Sequence, residues 1–153
     1  MIRTILLGIG IALVVVIAGC INPQDRTPGT RLFGEVTAAP SDWSFTNDYK
    51  LIAVEVRSPY LIPHSVTIWC AELDGQLYIG AREPETKRWP GWAARNPNVR
   101  LGIGSQIFEV RLVPIEDLER VRRIQSAYAR KYNLPSRSAE SRPIRYWSVE
   151  ARS

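Results

Sequence analysis

Three basic residues near the middle of the chain are the residues best suited to chemistry. Arg82, Lys87 and Arg88 lie close together, and Thr86 and Trp89 belong to the same stretch. Guanidinium and ammonium groups bind phosphate strongly, and a helix that begins near Arg88 adds backbone N–H groups and a partial positive charge. The Thr86 hydroxyl is a further donor. The spacing therefore predicts a site for a phosphorylated ligand.

Two further residues extend this hypothesis. Arg57 ends a predicted neighbouring strand and is placed to join the basic cluster, while Trp89 and Trp92 are placed to cover an aromatic ring system. An alternative stays open, because tryptophans at this spacing are more often core residues and a Lys-Arg pair in a loop is more often solvated. The catalytic residues remain unknown.

The composition excludes several kinds of site. The chain has one histidine, His64, and two cysteines, Cys20 and Cys70. These cannot form a zinc or transition-metal site of several His and Cys ligands, so no metal is predicted. His64 and Ser65 are adjacent, and adjacent residues on a strand point to opposite faces, which disfavours a hydrolase. The net charge is +5, but no nucleic-acid recognition motif is present, so no nucleic-acid partner is expected.

The elements that must position these residues are mostly strands. Alternating and β-branched segments predict strands, which are Leu32–Ala38, Asp42–Phe45, Tyr49–Val56, Ser65–Leu73, Gln76–Ala81, Val99–Ile103, Gln106–Ile115 and Ile144–Val149. Asp74-Gly75 predicts a tight hairpin. Arg88–Arg95 is a predicted short helix and Glu116–Tyr132 a predicted long one, with an apolar stripe that includes Leu118. This order indicates a mainly β (α+β) fold with antiparallel strands. Cys70 is expected to be a small buried hydrophobe.

The first twenty residues have the layout of a secretory signal. A positive charge at Arg3 precedes the uncharged apolar run Ile5–Ile17, and small residues follow. The tetrad Ile17-Ala18-Gly19-Cys20 resembles the lipobox of bacterial lipoproteins, in which the cysteine is acylated and becomes the first mature residue. The resemblance implies a signal peptide over 1–19, a tether over 20–30 and a globular domain over 31–153. It implies lipidation at Cys20 and a place in the bacterial cell envelope, at the periplasmic face. Ile21, which follows the cysteine, does not favour retention at the inner membrane, so an outer-membrane location is compatible with the sequence and the choice between the two membranes stays open. A plain transmembrane helix is the alternative.

The stretch Val66–Val113 resembles the flavin-binding split-barrel superfamily, which includes pyridoxamine-phosphate-oxidase-like and deazaflavin-dependent reductase-like proteins. The residues that carry the resemblance are the strand Thr67-Ile68-Trp69-Cys70-Ala71, the hairpin Asp74-Gly75 with Gln76-Leu77-Tyr78-Ile79, the loop end Thr86-Lys87, and Asn96-Pro97 before Val99–Ile103. It implies a small antiparallel split β-barrel with one short and one long helix. It also implies FMN or a deazaflavin near Thr86 and Lys87, and a homodimer with cofactor sites at the subunit interface.

Two functions follow from these observations. The first is a membrane-anchored lipoprotein whose split-barrel domain serves as a ligand-binding or structural module. The alternative is an FMN- or deazaflavin-dependent oxidoreductase. The predicted cofactor-binding residues are Arg57, Arg82, Thr86, Lys87, Arg88 and Trp89. The first function is preferred, because the sequence shows no independent catalytic constellation.

Overall fold

A computed structural model describes residues 29–135 and 142–152. Within these ranges the chain forms eight strands, which are β1 (Glu35–Thr37), β2 (Ile52–Arg57), β3 (Pro63–Ile68), β4 (Cys70–Leu73), β5 (Gln76–Arg82), β6 (Asn98–Ile103), β7 (Gln106–Pro114) and β8 (Ile144–Ala151). The described residues include two α-helices, which are α1 (Arg88–Arg95) and α2 (Leu118–Tyr132). Short 3-10 helices cover Ser44–Asp48 and Pro84–Thr86. The predicted signal peptide, the lipobox cysteine and most of the tether lie outside the described residues. No helix of the described part is long and apolar enough to cross a membrane.

The strands form one antiparallel sheet in the order β3-β2-β6-β7-β8-β5-β4, and β1 adds in parallel to the Gln106–Phe108 part of β7. The two strands at the ends of this order, β3 and β4, follow each other directly in the chain. Trp69 separates them, so the chain leaves β2 and joins β5 at this residue. The sheet therefore curves until its two end strands meet at Trp69, and it stays open between β3 and β5, which do not pair. The predicted small split barrel with one short and one long helix is confirmed.

Turn chemistry fixes the strand order locally. Asp74 and Gly75 both have positive φ, at 54° and 79°, which is the geometry of a tight type I′ hairpin between β4 and β5. Gly104 turns β6 into β7 with a φ of 59°. A Cβ there would lie 2.9 Å from the Tyr49 hydroxyl, so this position requires glycine for two reasons.

The core has two main parts. The larger one fills the inside of the curved sheet with fully buried residues such as Val54, Leu77 and Leu101. The smaller one lies under α2, where Ile124 and Tyr128 pack against Tyr146. Helix α2 is well capped, because Asp117 accepts a hydrogen bond from the backbone N–H of Arg120 and Asn133 closes the other end in the left-handed conformation.

Two sequence expectations were wrong and one was incomplete. The predicted strand Asp42–Phe45 is instead the start of a 3-10 helix, because Asp42 Oδ1 accepts from Ser44 N and the Trp43 carbonyl accepts from Thr46 N. Leu118 does not join the apolar stripe of α2, since it is 71% exposed in the first turn. The single predicted strand Ser65–Leu73 is two strands divided at Trp69.

Candidate functional site

The opening between β3 and β5 forms a groove of about 890 Å³, which we call the basic groove. Its walls are β3 from His64 onward together with Trp69, the Gly80–Arg82 end of β5, the start of α1, one side of α2 between Arg122 and Arg130, and the beginning of β8. The groove exists because the chain changes strand partner at Trp69. Strand β3 pairs with β2 and strand β4 pairs with β5, so β3 and β5 remain unpaired with each other. Its volume is in the range of pockets that hold small molecules and cofactors.

The groove is strongly electropositive. The described residues that line it include no Asp or Glu but five cations, which are Arg82, Lys87, Arg88, Arg122 and Arg130. Arg122 forms an exposed ion pair with Glu119 at 3.2 Å. In the described part of the chain, Arg82, Arg88 and Arg130 have no carboxylate within ion-pair distance. An unbalanced set of cations in a concave surface attracts an anionic ligand.

The structure brings four of the six predicted cofactor-binding residues to this groove, namely Arg82, Lys87, Arg88 and Trp89. The Lys87 ammonium donates a hydrogen bond to the carbonyl of Arg82, which closes the loop between β5 and α1. Helix α1 begins at Arg88, and no side chain caps its N-terminus. The basic side chains and the first residues of this helix therefore line the same volume.

Thr86 and Arg57 lie elsewhere. The Thr86 hydroxyl donates to the Glu83 carbonyl at 2.8 Å within its own 3-10 turn, and Thr86 is not among the groove residues. Arg57 is at the end of β2 and lines a second, smaller pocket of about 340 Å³ with Arg31 and Arg100. Both residues have the charge or polarity that a phosphate site needs, but the fold places neither of them in the groove.

The aromatic residue offered to a ligand is Trp69. Trp89 is only 4% exposed and packs against Trp147 at 5.2 Å, so most of its ring belongs to the core. Trp69 is 40% exposed, lines the groove, and stacks on Tyr132 with ring centroids 4.2 Å apart and an interplanar angle of 9°. Sequence reasoning missed Trp69. Its position between Ile68 and Cys70, both of which are buried, was the available signal, because alternation turns it to the opposite face.

The stacked pair is held by hydrogen bonds at the strand break. The Tyr132 hydroxyl accepts from the backbone N–H of Cys70 at 3.0 Å and lies 2.8 Å from the Lys50 carbonyl. Burial raises the pKa of Tyr132, and the nearby Cys70 adds to the rise. The phenol therefore stays neutral and keeps its donor proton. Cys70 itself is fully buried, as predicted, and burial raises the pKa of its thiol although Lys131 beside it opposes the rise.

Besides the cations, the groove is lined by three titratable side chains that stay neutral near pH 7, namely His64, Tyr128 and Tyr146, and burial raises the pKa of Tyr128 well above its usual value. Burial lowers the pKa of His64, and the positive charge of Arg88 lowers it further, so the imidazole is neutral near pH 7. Burial raises the pKa of Tyr146, while Arg82 and a hydrogen bond with Gln125 act in the opposite direction. The Tyr146 ring passes directly over Gly80, where an added Cβ would lie 2.9 Å from the ring. One buried hydroxyl of the lining, Thr67 Oγ1, has no hydrogen-bond partner in the described residues.

Comparison with known proteins supports the fold. A family model described as an uncharacterized protein conserved in bacteria, DUF2255, matches residues 47–150. No curated protein matches the sequence.

Among solved structures, an F420-H2 dependent reductase is similar with a TM-score of 0.53 and 16% identity, and the match covers 67% of this chain and 95% of that chain. A conserved hypothetical protein from Mycobacterium tuberculosis is similar with a TM-score of 0.56 and 18% identity, over 71% of this chain and 77% of that one. A protein described as a domain-swapped dimer has a TM-score of 0.54 and 16% identity, over 67% and 81%. At these identities the likeness concerns the fold.

Proposed function

The chain belongs to the DUF2255 family, and from its groove we propose that it binds a phosphorylated, planar aromatic ligand of the FMN or deazaflavin class. The observation that carries this proposal is the basic groove itself, in which five cations and no described carboxylate surround a volume of about 890 Å³ beside the exposed ring of Trp69. Charge, shape and an aromatic surface are the three features that such a ligand needs.

The residues present fit a phosphate at one end of the groove and a ring at the other. Arg88, at the uncapped N-terminus of α1, and Arg82, at the end of β5, are both without an ion-pair partner in the described chain and are suited to a phosphate. Trp69 is held flat by Tyr132 and is suited to stack against a ring. The unpartnered Thr67 hydroxyl offers one hydrogen bond to a polar ring edge.

An oxidoreductase function is the second candidate. It is favoured by the likeness of the fold to an F420-H2 dependent reductase, nearly the whole of which is covered by the match. A bound flavin or deazaflavin supplies hydride chemistry, and this chain supplies binding and orientation. Its neutral groups His64 and Tyr146 are described groove residues that can exchange a proton with a substrate.

A lipid anchor and a homodimer complete the proposal. The lipobox-like segment ending at Cys20 supports acylation of that cysteine and a place at the bacterial cell envelope. The domain-swapped dimer among the similar folds supports self-association. The experiment for the anchor is metabolic labelling with radioactive palmitate, in which the parent chain takes up label and a Cys20→Ala variant does not. Equal labelling of both would overturn the anchor.

The experiment for the ligand is a fluorescence titration of the purified full chain with FMN and, separately, with a deazaflavin cofactor. Arg88→Gln removes a groove charge at the start of α1, and Arg95→Gln removes an exposed charge at the end of the same helix, outside the groove. Loss of a charge-assisted hydrogen bond costs about 1.5–3 kcal/mol, which is roughly a 10- to 150-fold weaker affinity. We expect this loss for Arg88→Gln and little change for Arg95→Gln. Binding of neither ligand, or equal effects of both variants, would contradict the proposal.

A further inference from the structure

The turn between β2 and β3 presents large apolar side chains to solvent. Tyr60, Leu61 and Ile62 are consecutive and are 75%, 85% and 60% exposed. Single exposed apolar residues are common in proteins, but three adjacent large ones at the tip of a turn indicate an interaction surface.

The turn is well defined by hydrogen bonds. The buried Ser58 hydroxyl donates to the Ile62 carbonyl at 2.6 Å and accepts from the Tyr60 N–H at 3.3 Å, and the Leu61 N–H donates to the Ser58 carbonyl. Leu61 has a φ of 63°, a conformation that a branched residue adopts only when its surroundings impose it. The Ser58–Ile62 turn is therefore built to hold its apolar side chains outward.

Positive charge borders this apolar tip. Leu61 lines the smaller pocket together with four arginines. Arg100 pairs with Glu55 at 2.8 Å and Arg152 pairs with Glu109 at 3.4 Å, while Arg31 and Arg57 have no carboxylate partner in the described part of the chain. An apolar tip with unpaired arginines at its border complements a bilayer that carries anionic headgroups, because the side chains enter the acyl boundary and the guanidinium groups stay at the phosphates.

The chain path brings this tip towards a membrane anchor. Gly29 exchanges two backbone hydrogen bonds with Ser65, at 2.8 and 2.9 Å. Ser65 is three residues from Ile62, which is about 10 Å of extended strand. Gly29 is nine positions after Cys20 in the sequence, a separation that spans at most about 30 Å. An acyl chain on Cys20 therefore keeps the tip within reach of the bilayer surface.

We propose that the Ser58–Ile62 turn inserts into an anionic lipid bilayer, with Arg31 and Arg57 at the headgroups. This inference rests on the proposed lipid anchor for its approach to the membrane. Strand β3 continues from the tip into the groove wall at His64. Insertion of the tip therefore holds that end of the basic groove close to the membrane surface.

The experiment places a nitroxide label at Leu61→Cys in the full chain, reconstituted into vesicles of about one part phosphatidylglycerol to three parts phosphatidylethanolamine. Val36→Cys is the matched control, since Val36 is also an exposed apolar residue, at 61%, and lies on β1. Cys70 is fully buried and stays unlabelled. We expect the label at position 61 to be several times more accessible to oxygen, and several times less accessible to a water-soluble nickel chelate, than the label at position 36. We also expect Arg57→Gln in the Leu61→Cys chain to reduce this difference.

Two results would overturn the proposal. Equal access of the chelate to both positions would mean that the tip stays in water. Exclusion of both oxygen and chelate at position 61, with spin–spin broadening, would mean that a second copy of the chain covers the tip. The parent chain without an added cysteine tests the anchor separately, because nitroxide uptake there shows that Cys20 is not acylated. In that event the readings at position 61 are repeated with Cys20→Ala, and they decide the tip by the same criteria.

Discussion

Gly80 is the position where a single methyl group should disturb the groove most directly. It lies on β5 opposite Tyr146 of β8, and a Cβ built there would lie 2.9 Å from Cε1 and 3.0 Å from Cδ1 of the Tyr146 ring. The ring has little room to retreat, because it is 3% exposed and packs against Tyr128 at 5.5 Å. Gly80→Ala therefore forces a shift in a packed wall of the groove rather than a rotation of an exposed side chain.

The expected cost follows from overpacking, which typically destabilises by about 1–3 kcal/mol. Gly91→Ala is the matched control, since nothing lies within 4 Å of a Cβ at that helical position. Alanine is favoured over glycine inside a helix by about 0.5–1 kcal/mol, so this variant should be more stable than the parent. The two substitutions are chemically identical, and their effects on the free energy of unfolding should have opposite signs.

Urea denaturation followed by far-UV circular dichroism measures both effects on the full chain. A double-mutant cycle tests whether the Tyr146 ring causes the destabilisation. Gly80→Ala should cost much less in a Tyr146→Leu background, because the ring is absent there. If Gly80→Ala were as stable as the parent while Gly91→Ala behaved as expected, the Tyr146 ring would not be fixed over β5. The described shape of the groove wall would then be wrong.

Further predictions concern the groove and the buried ion pair. Because folding lowers the pKa of His64 from 6.5, the stabilising contribution of its neutral form is complete above pH 6.5 and is lost as the pH falls below that value. The free energy of unfolding, measured at pH 7.5 and pH 5, should therefore fall less in His64→Gln than in the parent. An equal fall in both proteins would refute this. Glu55→Gln should cost about 3 kcal/mol in urea denaturation, because it removes the carboxylate 2.8 Å from the partly buried Arg100 and leaves only Glu109, at 3.9 Å, to balance that charge. Adding Arg100→Met should recover part of the loss. Tyr132→Phe should lower the free energy of unfolding by about 1–3 kcal/mol, because it removes the hydroxyl that accepts from the Cys70 N–H, but it should leave ligand affinity unchanged. Trp69→Leu should instead weaken ligand binding. The reverse pattern would contradict the assignment of Trp69 as the stacking surface.

Much of the fold could be predicted because its signals are local. Asp74-Gly75 gives a hairpin through its own backbone preferences, and Arg88–Arg95 is helical over the predicted bounds. The apolar stripe of α2 holds at Ile124 and Tyr128, but its first turn at Leu118 meets no partner. Local patterns thus identify elements reliably where burial and turn geometry agree, and fail at an end where tertiary contacts decide.

The site was harder to predict because it depends on strand order. Arg82, Lys87, Arg88 and Trp89 are neighbours in sequence, so their convergence on one groove follows from a single loop and helix start. Arg57 belongs to β2, and no local signal states that this strand contributes no residue to the groove lining. The additional lining cations Arg122 and Arg130 come from α2, whose packing across the opening is a long-range feature.

Trp69 links the fold to the proposed chemistry. A continuous strand from Ser65 to Leu73 would pair with one neighbour throughout, and the barrel would have no opening. The change of partner at Trp69 creates the groove, and the same residue, turned outward between two buried neighbours, becomes its exposed aromatic surface. Tyr132 then stacks on the indole and accepts a hydrogen bond from the Cys70 N–H beside the break. The feature that interrupts the strand therefore also prepares the surface on which we expect a planar ligand to rest.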